Sequence, residues 1–162
     1  MIKRRDRIRT LRGTVEFPAR GGGSPANTGR RNLILDDGRI NIGYRVLEFR
    51  IWNADMDGFN NEFEAQAHLA MGLDITSAFS DAADNREIAW AAYQTGTESG
   101  ICYFDLVDPD HIIVRDLNVI FPSVSNTSEA RVNYYILMEE YDITDQEAII
   151  SIIKEESQDV DN

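Results

Sequence analysis

Across residues 32–143, apolar and polar positions alternate with a period of two far more often than with a period of 3.6, and the apolar segments are rich in valine, isoleucine, tyrosine and phenylalanine. That pattern predicts strands. In residues 44–52, Leu47, Phe49 and Ile51 fall on one face and Glu48 and Arg50 on the other, so the first face is expected to be core. Comparable runs predict strands at 62–71, 87–94, 101–107, 111–121 and 132–141. Upstream, Asn32-Leu33-Ile34-Leu35 and Arg39-Ile40-Asn41-Ile42 flank Asp36-Asp37-Gly38, whose Asp-Gly step suits the positive φ angles of a tight hairpin. A shorter β-like patch, Thr14-Val15-Glu16-Phe17, lies nearer the start.

About eight short strands without intervening helices predict an all-β chain folded as an antiparallel β-sandwich. A single jelly roll suits that strand count, and an immunoglobulin-like sandwich is the alternative. One helix is signposted at the end. Thr144-Asp145-Gln146-Glu147 matches a capping box and precedes Ala148-Ile149-Ile150-Ser151-Ile152-Ile153. Ile149, Ile152 and Ile153 form a stripe opposite Glu155, Glu156 and Asp159, and this stripe must pack on the sandwich or on a neighbouring subunit as an assembly interface.

Residues 18–27, Pro-Ala-Arg-Gly-Gly-Gly-Ser-Pro-Ala-Asn, deny the chain a packed structure and are expected to act as a flexible hinge. The expected organisation is a basic arm over 1–31, a sandwich body over 32–143, and a helix and tail over 144–162. Charge sharpens this division. Residues 1–31 hold nine basic and two acidic residues, a balance of +7, leaving −19 on the rest of a chain whose total is −12. The body would repel nucleic acid and the arm would attract it. Lys3, Arg4, Arg5, Arg7, Arg9 and Arg12 are the expected contacts, touching phosphates without sequence readout because no aromatic residues are interleaved among them.

The start, Met1-Ile2-Lys3-Arg4-Arg5, leads into Asp6-Arg7-Ile8-Arg9 without an apolar stretch, which argues against a signal peptide. No apolar run approaches membrane-spanning length, so no membrane partner is expected. With Cys102 the single cysteine and His68 and His111 the only histidines, no internal disulfide and no four-ligand Cys/His zinc site can form. The loop from Asp55 to Glu62 offers carboxylates, yet its glycine, Gly58, falls at the fourth place rather than the sixth that a helix-loop-helix calcium site needs, so a solvated turn is expected. Asp108-Pro109-Asp110-His111 reads as a turn opening a strand rather than an acid/base cluster. Gly21-Gly22-Gly23 lacks the strand before and helix after it that phosphate binding requires. Catalytic residues, metal sites and cofactors are therefore not expected. Trp52, Trp90, Tyr93, Tyr134, Tyr135 and Phe121 are explained either as core or as a carbohydrate-stacking groove.

The stretches Asp84-Asn85-Arg86-Glu87-Ile88-Ala89-Trp90, Asp108 through Leu117, Val132-Asn133-Tyr134-Tyr135 and the ending from Asp145 to Asp159 resemble small virion structural proteins of marine bacterial viruses. The layout of basic arm, glycine-rich hinge and sandwich resembles the jelly-roll coat proteins of small icosahedral viruses. That resemblance implies a capsid subunit located in the virion that forms a homo-oligomeric shell, turns its arm toward the packaged genome, and contacts other virion proteins. A minor role in head decoration or tail attachment is one alternative, and a carbohydrate-binding module is another. An enzyme is not expected.

Overall fold

The structure is a computed structural model. It describes residues 2–21, 23–35, 38, 39, 41–55, 63–71, 80–96 and 100–157, the last four as backbone alone. The expected mainly β architecture is what these residues form. Eight strands run in the order β1 (Lys3–Phe17), β2 (Asn27–Ile34), β3 (Ile42–Asn53), β4 (Phe63–Ala70), β5 (Glu87–Gly96), β6 (Gly100–Val107), β7 (Asp116–Asn126) and β8 (Ala130–Asp142), followed by helix α1 (Asp145–Ser157).

Two antiparallel sheets face each other. One has the order β1-β8-β3 and the other β2-β7-β4-β5-β6. A long antiparallel ribbon rolled on itself would pair β1 with β8, β2 with β7, β3 with β6 and β4 with β5. Three of those four ladders are present, which is consistent with a single jelly roll. The departure is β6, which pairs with β5 and so widens the second sheet instead of completing the first.

The core lies between the sheets and is built from alternate positions. Val46, Phe49 and Ile51 of β3, Val119 and Phe121 of β7, and Ile136 and Met138 of β8 are essentially removed from water. Phe17 closes one flank, meeting Phe121 edge to face with ring centroids 5.5 Å apart. A smaller apolar cluster of Val114, Tyr141, Ile143 and Ala148 seats α1 on the sandwich. The capping box is realised at its start. Thr144 N–H and its hydroxyl donate to Glu147 Oε2 at 2.9 and 3.0 Å, and Glu147 N–H donates back to Thr144 Oγ1 at 3.2 Å.

Several local expectations are corrected. The segment expected as a tethered arm is β1, hydrogen-bonded to β8 from Lys3↔Asp142 to Phe17↔Ala130, because Leu11, Val15 and Phe17 supply an inward face that the density of arginines hides in the sequence. Residues 1–31 therefore do not stand apart from the body, and the stretch around Gly21 and Gly23 joins strands of two sheets. The described flanks of the expected hairpin do not pair with each other. Gly38 does adopt positive φ, 86°, but β2 pairs with β7 and β3 with β8, so the two flanks belong to different sheets. Leu47 is exposed rather than core, since a bulge between Val46 and Glu48 puts Val46 inward in its place.

Candidate nucleic-acid interface

Sheet order decides where the cations go. Strand β8 is central in its sheet, and its last residue, Asp142, is paired with Lys3 of β1 on one side and Ile42 of β3 on the other. The start of β1 and the approach to β3 are thereby brought to one end of the sandwich. There Lys3, Arg4, Arg5, Asp6, Arg7, Arg39 and Asp142 line a recess, five cations against two carboxylates.

The six cations expected to contact nucleic acid fall into two groups. Arg4, Arg5 and Arg9 are engaged by the fold. Arg4 Nη2 lies 2.5 Å from Glu139 Oε1, and Arg5 Nε lies 2.6 Å from Asp142 Oδ1 with its Nη1 3.9 Å from Glu140. Arg9 turns inward to Tyr44 and to the Leu35 carbonyl. Lys3, Arg7 and Arg12 are exposed and make no ion pair among the described residues. Arg12 lies away from the recess, on the outer face of the three-stranded sheet, opposite Tyr135. The recess thus gathers Lys3, Arg4, Arg5 and Arg7 and leaves out Arg9 and Arg12.

Arg39 is the recess residue that sequence reasoning missed. Its only signal was proximity to the Asp-Gly turn, which says nothing about β1. A register shift between Arg4 and Ile8 lets three residues of β1 fall out of strict alternation, so cations from both strand faces reach the same end. Chemically, such a recess can bind an anionic polymer through phosphate-type contacts and has no feature that would read a base.

The stripe expected to form an assembly interface is split by the fold. Ile152 packs against the Val114, Tyr141 and Ile143 cluster, whereas Ile149 and Ile153 are exposed, together with Ile150. The six aromatic candidates also separate. Phe121 and Tyr134 are buried between the sheets, and Tyr93 packs against the core beside Phe63. Trp52 and Tyr135 are half-buried on the outer face of the three-stranded sheet, where Tyr135 lies between Arg12 and Arg50 in the ladder. Trp90 lies on the outer face of the five-stranded sheet and donates its indole N–H to Glu87 at 2.6 Å.

Among the described residues, no cluster of three or more histidine, cysteine or acidic side chains is arranged to hold a metal ion. Asp55 is described, but the rest of its loop through Glu62 lies outside the described residues. Asp108 Oδ1 accepts from the Asp110 amide at 3.1 Å and His111 Nε2 lies 3.3 Å from Asp108 Oδ2, the hydrogen bonding of a turn. No described helix is long and apolar enough to cross a membrane.

One further feature falls outside the sequence reading. Every side chain of β6 from Ile101 to Leu106 is exposed, on both strand faces. No protein-family model, no curated protein and no solved structure matches the chain.

Proposed function

We propose that this chain is a structural subunit of a virus particle, a coat-type β-sandwich that self-assembles and turns its basic end toward packaged nucleic acid. The observation that carries the contact is the gathering of Lys3, Arg4, Arg5, Arg7 and Arg39 into one recess on a protein whose total charge is −12. The virion setting comes from the sequence resemblance and is supported by a strand order consistent with a jelly roll. The proposal differs from a tethered-arm design in one respect. A hydrogen-bonded strand end presents the cations in fixed positions, so binding forfeits little chain entropy.

The test is binding of a labelled single-stranded oligonucleotide by fluorescence anisotropy across a salt series, with electron microscopy of the same mixtures. The expected result is sequence-independent, steeply salt-sensitive binding, and shells or ordered oligomers in the micrographs. Absence of binding at low salt removes the genome contact, and dispersed single particles under all conditions remove the shell. In the latter case a subunit that binds only to preformed particles of another protein would fit a decorating role.

A second reading is favoured by Trp52 and Tyr135, which lie on adjacent rows of one outer sheet face beside Asn133 and Thr14. Aromatic rings with hydrogen-bonding neighbours on a flat sheet suit sugar stacking, and a glycan array reads this directly.

A further inference from the structure

A sheet edge carries a row of free backbone donors and acceptors, and proteins commonly blunt such edges with bulges, charges or proline. Three of the four edges here are blunted. Strand β1 has a register shift and six cations, β2 has a register shift with Arg30 and Arg31, and β3 has a register shift with Arg45, Glu48 and Arg50. Strand β6 has no bulge and no proline, and only one charge. Its ladder with β5 runs unbroken from Ala89↔Val107 to Gly96↔Gly100, and its one charge, Asp105, lies 3.6 Å from Arg50.

The strand is apolar on both faces. Ile101 is 52% exposed on the inner face, and Phe104 and Leu106 are 54% and 55% exposed on the outer face, where they adjoin Ala92 and Trp90 of β5. With three strands against five, the opposing sheet reaches Tyr103 and Asp105 on the inner face but leaves Ile101 open. Tyr103 and Asp105 point back toward β3, where Asp105 meets Arg50 and burial pushes the Tyr103 hydroxyl up to about 12. Side chains stand perpendicular to the hydrogen-bonding direction of a strand, so the free edge of β6 faces sideways, away from β3.

We infer that β6 is a homotypic interface: it pairs antiparallel with β6 of a second copy about a two-fold axis through Phe104, joining two five-stranded sheets into one of ten. The inference deepens the assembly half of the proposed function and rests on it. The strand is self-complementary about that axis. Phe104 meets Phe104, Cys102 meets Leu106, Ile101 meets Val107, and Tyr103 meets Asp105, so hydroxyl faces carboxylate and no like charges are opposed. An axis through Asp105 would oppose two carboxylates, and one through Tyr103 would set Asp105 against Ile101. In a chain that is strongly anionic elsewhere, this charge-poor edge is where a second copy can approach without repulsion. The geometry is isologous, as a closed dimer requires.

The experiment combines mass and crosslinking on the full chain. Without oligonucleotide, where no shell is nucleated, light scattering is expected to give twice the mass of one 18.4 kDa chain, and Phe104→Lys is expected to return it to the single-chain value with an unchanged circular dichroism spectrum. In a Cys102→Ser background, Phe104→Cys should form a disulfide-linked dimer under mild oxidation, since directly opposed antiparallel residues lie about 4.5 to 5.5 Å apart, within disulfide reach. Tyr103→Cys in the same background should not. Single-chain mass for the unmodified protein, persistence of the doubled mass in Phe104→Lys, or crosslinking of Tyr103→Cys in preference to Phe104→Cys would overturn the inference. Oligonucleotide binding is read separately on the Phe104→Lys chain. Its retention there leaves the recess standing if the interface fails, and its absence with an intact crosslinked dimer sinks the recess alone.

Discussion

Arg9 and Tyr44 hold β1 and β3 together across the inner face of β8: Arg9 Nη1 donates to the Tyr44 hydroxyl at 2.9 Å, and the guanidinium carbon lies 5.2 Å from the Tyr44 ring centroid. Tyr44 is buried, so its hydroxyl depends on this donor. A cation that composition assigns to a nucleic-acid contact is thus a structural member of the sheet. Arg9→Leu should cost about 1.5 to 3 kcal/mol, the range for a hydrogen bond involving a charged group, and leave oligonucleotide binding little changed. Urea denaturation followed by tyrosine and tryptophan fluorescence measures the first, and anisotropy the second. Loss of binding without loss of stability would reverse the assignment.

Lys3 and Arg7 line the recess and carry no ion pair among the described residues. The double variant Lys3→Glu, Arg7→Glu should weaken oligonucleotide binding equally for all sequences. If both residues contact phosphates, the slope of log affinity against log salt should fall by about 1.4 for a single strand, following the dependence of roughly 0.7 per contact. Stability should change by less than about 0.5 kcal/mol, as is usual for surface positions. An unchanged slope would place the contact elsewhere.

Two carboxylates three residues apart, Asp84 and Glu87, have opposite pH linkage. Arg86 hydrogen-bonds Asp84 and holds it below its ordinary 3.8, so its contribution to stability is present above that value and lost as pH falls through the lowered one. Burial raises Glu87 above its ordinary 4.5 despite donors from Trp90 and the Asp81 amide. The folded protein therefore holds that proton more tightly than the unfolded chain. The resulting stabilisation is full below 4.5 and is lost as pH rises through the raised value. Glu87→Gln keeps an acceptor oxygen and should flatten the decline in melting temperature from pH 4.5 upward. An identical decline in the variant would acquit Glu87.

Thr144 caps α1 and Glu147 returns the hydrogen bond, an arrangement that also holds the Glu147 carboxyl below its usual range. Thr144→Ala should cost about 1 kcal/mol of stability. Because Ala148 and Ile152 are what α1 packs on the sandwich, amide exchange should accelerate in α1 while β8 stays protected. Uniform acceleration through both elements would mean that the helix and β8 open as one unit.

The elements that alternate cleanly were legible from sequence. Strands β3, β4, β5, β6 and β8 fall close to their expected spans, and the α1 cap announces itself in four residues. Strand β1 was hidden because its outward arginines and threonines outnumber an inward face that includes Arg9 and Gly13, so composition suggested a solvated arm. Strand β7 begins five residues later than expected, since Ile113 and Val114 are buried by a bridge to Tyr44 and by the α1 cluster rather than by a ladder. The recess was half legible. Four of its cations were named, but Arg39 joins them only through β8, a pairing about a hundred residues distant that no local pattern encodes. Exposure of β6 was not legible, because an apolar alternation looks the same whether or not a second sheet covers it.

The centrality of β7 and β8 has a consequence for how the chain is made. Strands β1, β2 and β3 leave the ribosome early, yet each finds its ladder partner only in the last third of the sequence. Until that partner emerges, only the β4-β5-β6 meander can close, and it leaves with the unblunted β6 edge already formed. Nascent chains are therefore at greatest risk of premature association before synthesis ends, and truncation inside β8 would unmake one sheet entirely rather than trim it.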